Sequence, residues 1–336
     1  MRVWRRSRAA LRLLVLVLLG PAAFTRAQQP VAPPTEPIRV SVDRVNVGVI
    51  VTDSRGKFVE GLRREEFHVF DDSVKQPLTD FAAVREPAQV LMLVEAGPAV
   101  YFLEASHLQA AHALLDGLSA GDRIAVVKYD QSPQPLLDFT PDKQAAAGAL
   151  ANVRFYLGFG TLNLSQSLST VLDWLAKVQG KKTIVLLSTG FDTSPPNQPE
   201  AILARLKTSD VRILAISLSG ELRNPPGGNS KASPEKSAAA AQGFAEADRL
   251  LTLMTETTGG RVYFPNSAKD FAAVYAQIAQ LVRHEYSLAF APPVHDGKLH
   301  TIEVRVSAPL NATPATPAST PAYRIDHRRA YLAPAP

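Results

Sequence analysis

The sequence predicts an α/β fold, in which a mostly parallel sheet carries helices on both faces and adjoins a small β-sandwich built from the two ends of the chain. Three observations carry this. Val90–Val94, VLMLV, is an uninterrupted apolar run, as in a strand buried on both faces of a parallel sheet. Further strand patterns recur at Asp122–Asp130, Lys182–Ser188 and Val211–Leu218, with helical spacing between them. At both ends the pattern changes to alternation, in Val40, Val42, Val45, Val47, Val49 and Val51 and later in Tyr286, Leu288, Phe290, Ile302, Val304 and Val306.

Taken in order, residues 1–27 read as a signal peptide, with a basic stretch through Arg12, an apolar Leu11–Leu19 and a small-residue cleavage site before Gln28. Residues 28–37, QQPVAPPTEP, read as a Pro-rich linker. Residues 38–85 supply the first part of the sandwich, with a turn at Asp53–Gly56 and a short helical turn before Phe67, Val69 and Phe70. The α/β domain spans 88–284. Its helices are predicted over Glu104–Leu118, Pro141–Val153 (Thr140 as N-cap), Leu164–Val178, Glu200–Lys207, Phe244–Thr257 and Asp270–Arg283. Residues 220–241, rich in Gly, Pro, Ser and Ala, are predicted to be a disordered insertion. Residues 285–332 return to strand and complete the sandwich, with a turn at His295-Asp296-Gly297.

Charge and cysteine content narrow the function. The net charge of +5 arises in the first 27 residues, where Arg2, Arg5, Arg6, Arg8, Arg12 and Arg26 meet no acid. Without those six, 30 basic residues face 31 acidic ones, and no basic stripe for nucleic acid is left. With no Cys there are no disulfides, no thiol catalysis and no Cys-based zinc site. The expectation is an exported protein, periplasmic or secreted, with no membrane span after signal cleavage.

The segments VLMLVEAGPA, GDRIAVVKYD, GFGTLNLSQSL, KKTIVLLSTGFDTS and DVRILAISL, in this order and spacing, resemble a von Willebrand factor A domain, a Rossmann-like fold. With VTDSRGKFVEGLRREEFHVFDD before them and TETTGGRVYFP after, the chain is similar to the VWFA-related Acidobacterial domain family. The resemblance implies a metal-ion-dependent adhesion site, whose Asp-x-Ser-x-Ser turn, Thr and second Asp fall on Glu95, Gly97, Ala99, Thr161 and Thr189. Only Thr161 matches. Gly97 and Ala99 offer no side-chain oxygen to the near-octahedral shell that Mg²⁺ requires, so the site is read as degenerate, with no metal and no cofactor; Asp192 is the one residue placed to rescue it.

No nucleophile elbow, P-loop, His-Glu-x-x-His or dinucleotide fingerprint is present, so no enzyme is expected. The leading reading is a non-catalytic protein-interaction module whose partner is another protein. The loop STGFDTSPPNQP is the face expected to touch it. Two alternatives stand beside it, a metal-dependent adhesion domain with a rearranged site of Glu95, Thr161 and Asp192, and an envelope scaffold that binds through its β-sandwich.

Overall fold

The computed structural model describes residues 44–84, 86–97, 104–153, 161–193, 199–223, 234–307 and 323–335. The expected signal peptide, the linker, Ala99 of the adhesion motif and residues 224–233 of the expected insertion lie outside the described residues.

The central sheet has the order Arg261–Tyr263 (β10), Val211–Ser217 (β9), Lys181–Ser188 (β8), Ala88–Glu95 (β5), Arg123–Tyr129 (β6) and Pro133–Thr140 (β7). All neighbours pair in parallel except β7, which runs antiparallel to β6 with register shifts. Pro133 and Pro135 are tolerated there because β7 is the edge strand, where a missing N–H breaks no second ladder. The apolar run of β5 divides between two cores. Val90, Met92 and Val94 pack against Glu104–Gly117 (α1), Lys143–Ala151 (α2) and Ala268–Arg283 (α7). Leu91 and Leu93 pack against Leu164–Leu175 (α3), Pro199–Thr208 (α4) and Pro234–Thr257 (α6). Period-two side chains on a strand covered on both faces must all be apolar, which is why the run has no break.

Two helix boundaries differ from expectation. α2 is capped by Asp142, whose carboxylate accepts the N–H groups of Gln144 and Ala145, and not by Thr140. Thr140 instead accepts the N–H of Asp142 at 3.1 Å, one step outside the helix. The expected disordered insertion 220–241 is in part helical, since α6 begins at Pro234 and Ser219–Arg223 forms a short helix, α5. Proline suits a first helical turn and AAAA is a strong helix former. Ala238–Gln242 lie on an exposed part of α6, so the segment needs no bulky apolar residue.

The sandwich uses both ends of the chain. One sheet has the order Arg324–His327 (β13), Val45–Thr52 (β1), Glu285–Phe290 (β11), Leu78–Val84 (β4); the other has Ala330–Leu332 (β14), Leu299–Val306 (β12), Phe67–Asp71 (β2), Val74–Gln76 (β3). β1 pairs antiparallel with β11, and β2 with β12. β11 and β12, expected to flank one turn, enter different sheets, because the connection between them crosses from one layer to the other. Val45, Val47, Val49 and Val51 meet Phe67, Val69, Tyr286, Leu288, Phe290, Ile302 and Val304 in the core between the sheets.

The sandwich also grips the α/β domain. Buried Arg261 of β10 binds Asp326 of β13 and donates to Thr52 Oγ1 at 3.1 Å. Glu285 accepts from Arg212 at 2.7 Å and meets Lys181 at 3.3 Å. Gly259, at φ +71°, lies so close to the backbone of His327 and Arg328 that a Cβ would fall 2.4 Å from each. Among the described residues no helix is long and apolar enough to cross a membrane.

Candidate functional site

Ligand sites of parallel sheets form at the carboxyl ends of the strands. At that edge, β5 ends at Glu95, β6 at Tyr129 and β8 at Ser188, with Glu95 opposite Tyr129 in register. All three side chains are fully buried. Glu95 Oε2 accepts from the Thr189 N–H at 2.7 Å, the Thr189 hydroxyl at 2.8 Å, Tyr129 at 3.1 Å and Ser188 at 3.1 Å. Glu95 Oε1 accepts from the same Thr189 hydroxyl at 2.9 Å. The Tyr129 and Ser188 hydroxyls lie 2.6 Å apart, and Ser188 accepts the Gly190 N–H at 2.8 Å. Burial pushes the Glu95 carboxyl above the usual carboxylate range, against the opposing pull of its Thr189, Tyr129 and Ser188 donors. Burial, followed by the charge of Glu95, pushes the Tyr129 phenol up.

The other predicted positions do not converge on Glu95 as ligands. Thr189 stands in the network as a donor to it. Thr161 is exposed, and the buried residue of its loop is Leu162. A Cβ at Gly97 would fall 2.7 Å from Leu162 Cδ2, so Leu162 occupies the space into which a serine at 97 would project. Leu162 is held there by a reciprocal pair of 2.8 Å bonds, its N–H to Thr193 Oγ1 and its carbonyl from the Thr193 N–H. Asp192 Oδ2 accepts the Ser165 N–H at 3.0 Å in the first turn of α3, where a carboxylate is favoured. Its other oxygen is buried without a hydrogen-bond partner.

The family profile of the von Willebrand factor type A domain matches residues 105–274. The chain belongs to that family. The matched part begins in α1, so the Glu95 strand precedes it. No curated protein matches the sequence. Among solved structures, proximal thread matrix protein 1 from the mussel byssus is 15% identical, with 60% of this chain and 49% of that one covered and a TM-score of 0.42. The chain thus spans about half the length of the mussel protein. A von Willebrand factor type A protein from Catenulispora acidiphila is 11% identical over 70% of this chain and 71% of that one, with a TM-score of 0.41. An aerotolerance-related membrane protein from Bacteroides fragilis is 12% identical over 59% of this chain and 98% of that one, also at 0.41.

VWA domains are generally non-enzymatic interaction modules. In this VWA domain a groove of about 590 Å³ opens between the loop after β8, α4 and α6, lined by Phe191, Leu203, Leu250 and Leu253 together with Glu246 and Arg249. Sequence reasoning did not anticipate Tyr129 or Ser188 as partners of Glu95. The signal was their shared place at the ends of neighbouring strands. It also passed over Asp71, Asp72 and His300, which among the described residues are the one group of three carboxylate or imidazole side chains close enough to hold an ion.

Proposed function

We propose that this chain is an exported, non-catalytic protein-interaction module whose VWA domain contacts another protein without a metal ion. The observation that carries the reading is the internal satisfaction of Glu95, which meets four protein donors in full burial where a metal-binding domain would turn a carboxylate to a cation. Gly97 and Leu162 supply an apolar cover in place of ligand oxygens, and Thr189 brings a hydroxyl where the family's motif has an Asp. This donor set does not fit the oxygen shell of Mg²⁺. Export is supported by the basic and apolar stretches of residues 1–27, and a protein partner by the near-neutral remainder of the chain.

The face proposed for contact is the loop from Gly190 to Pro199, of which residues 194–198 lie outside the described residues, with the groove lined by its Gly190, Phe191, Asp192 and Pro199, where Phe191, Leu203 and Leu250 present apolar surface rimmed by charge. The test is capture of a partner by the wild-type chain and by Phe191→Ser and Leu203→Ser variants, with a Mg²⁺ titration of the same proteins. Capture that is lost in the variants and indifferent to chelator supports the reading. Capture that needs Mg²⁺, or that survives both changes, overturns it. One observation favours a second reading, a rearranged cation site of Glu95, Thr161 and Asp192: the buried Asp192 Oδ1 has no hydrogen-bond partner. Mg²⁺ binding abolished by Glu95→Gln and by Asp192→Asn would decide for it.

A further inference from the structure

The β-sandwich holds a cluster that the VWA fold does not account for. Asp71 ends β2, Asp72 follows it in the tight turn to β3, and His300 lies near the start of β12, opposite Tyr331 of β14. Asp72 and Ser73 have φ of 44° and 70°, the left-handed pair that a two-residue hairpin turn demands. The prospective ligand atoms of Asp71, Asp72 and His300 all lie within 4.8 Å of one another. His300 Nδ1 stands 2.9 Å from Asp72 Oδ2 and 3.4 Å from Asp71 Oδ1.

Acidic residues gather on many surfaces without binding anything, so the decisive observation is the state of Asp71. Its side chain is 1% exposed, and Oδ1, the oxygen turned to His300, is buried with no hydrogen-bond partner. With only the 3.4 Å contact to His300 Nδ1 to meet it, that carboxylate oxygen is under-satisfied in burial, which is costly unless something else meets it.

The surrounding groups orient these atoms. Asp71 Oδ2 accepts from the Tyr331 hydroxyl at 3.0 Å, which leaves Oδ1 free. Asp72 Oδ1 accepts from the Thr301 N–H at 2.9 Å and the Thr301 hydroxyl at 2.7 Å, which leaves Oδ2 to face His300. Asp296 Oδ1 lies 3.2 Å from His300 Nε2 and is itself fixed by the Lys298 N–H at 2.9 Å. With Nε2 donating to Asp296, the Nδ1 lone pair becomes available to an ion once Nδ1 is deprotonated; without an ion, Nδ1 pairs with Asp72 Oδ2 and Asp71 Oδ1. Such a carboxylate, imidazole and ligand-atom relay is the outer-shell arrangement of protein metal sites.

We propose that Asp71, Asp72 and His300 bind a divalent transition-metal ion of the zinc type, with Asp296 as the positioning residue behind His300. One imidazole nitrogen and two carboxylate oxygens suit zinc, whereas Mg²⁺ and Ca²⁺ prefer shells of oxygen alone. Bonds of about 2.0–2.1 Å in a tetrahedron separate the ligand atoms by about 3.3 Å. The 2.9 and 3.4 Å separations around Nδ1 are of that size. Asp72 is half-exposed, so the fourth position opens to water. The ion joins the end of β2 and the turn to β3, from the first part of the chain, to β12 from the last, with Tyr331 of β14 holding Asp71 from behind, and so clips the two ends of the sandwich together.

The test is calorimetric titration of the full chain with ZnCl2, and with MgCl2 in comparison, at neutral pH, with thermal melts alongside. Asp72→Asn is the fold-safe variant, because asparagine suits a left-handed turn position; His300→Gln and Asp71→Asn accompany it, with circular dichroism without metal as the control. The expected result is one zinc bound per chain and a raised melting temperature. Affinity should fall by at least about tenfold in each ligand variant and by about tenfold in Asp296→Asn. Glu95→Gln should leave it unchanged, which separates this site from any at the sheet edge. In the wild type, Co²⁺ should give the intense visible absorption of a four-coordinate nitrogen and oxygen site. The absence of heat and of a melting shift with zinc, or zinc binding that persists in His300→Gln and Asp72→Asn, overturns the proposal.

Discussion

Replacing Glu95 by alanine and by glutamine distinguishes a closed polar plug from a carboxylate kept ready for a cation. Alanine removes the acceptor of four hydrogen bonds in full burial. The Tyr129 and Ser188 hydroxyls, 2.6 Å apart, can satisfy each other, but the Thr189 N–H has no second acceptor within the network. One stranded buried N–H costs about 1–3 kcal/mol, and the one lost methylene adds about 0.8 kcal/mol. Glu95→Ala should therefore lose about 2–4 kcal/mol and lower the melting temperature by roughly 5–10 °C. Glutamine keeps the shape: its carbonyl can take the Thr189 N–H, Tyr129 and Ser188 bonds, and its amide can donate to Thr189 Oγ1. Glu95→Gln should stay within about 1 kcal/mol of wild type near neutral pH.

The pH dependence supplies a second readout for that pair. Glu95 has a raised folded pKa, so the folded chain holds the proton more tightly than the unfolded chain. Its stabilising contribution is full below the unfolded carboxylate pKa and declines as pH rises through the folded value. Glu95→Gln should remove that decline. Urea denaturation followed by circular dichroism across pH measures both quantities. If glutamine proves as damaging as alanine, the site requires a carboxylate, and the description of an internally satisfied polar plug is refuted.

The apolar cover should resist restoration of a ligand oxygen: Gly97→Ser should destabilise by about 1–3 kcal/mol through its collision with Leu162, and Leu162→Ala should relieve part of that cost in the double variant, as a thermodynamic cycle of the four proteins would reveal. At the junction of the two modules, Asp326→Ala strands buried Arg261 and should cost about 3–5 kcal/mol; denaturant midpoints measure it. His327 is buried, accepts the Val304 N–H at Nε2 and has a pKa lowered from 6.5 to about 4, chiefly by burial. Its contribution is present above the unfolded pKa and is lost as pH falls towards about 4. His327→Gln should therefore lose less stability on acidification than wild type, by up to about 3 kcal/mol, in melts taken at several pH values.

Much of the molecule was legible in local pattern. The run VLMLV could only be a strand covered on both faces, and its residues do divide between two helix-covered cores. The alternating valines of β1 and the Tyr286, Leu288, Phe290 series of β11 marked two half-buried strands, and these pair with each other. The position of Glu95 at the end of the central strand followed from the order of segments alone, and so did the expectation of missing ligand oxygens at Gly97 and Ala99.

Other features depended on residues far apart in the chain. Period and propensity report which face of an element is buried and where it can start, since these depend on neighbours within a few residues. They do not report what arrives on that face. Tyr129 and Ser188 became partners of Glu95 only because the parallel register sets three strand ends side by side. Leu162 became the cover of Gly97 only because the Thr193 pair draws its loop across the sheet edge. Asp71 and Asp72 stand more than two hundred residues before His300 and Tyr331, and only the pairing of β2 and β14 with β12 joins them. Local sequence determined the strands, the helices and the loss of the motif's oxygens; long-range pairing decided which side chains share a buried volume, and with it the chemistry available to each.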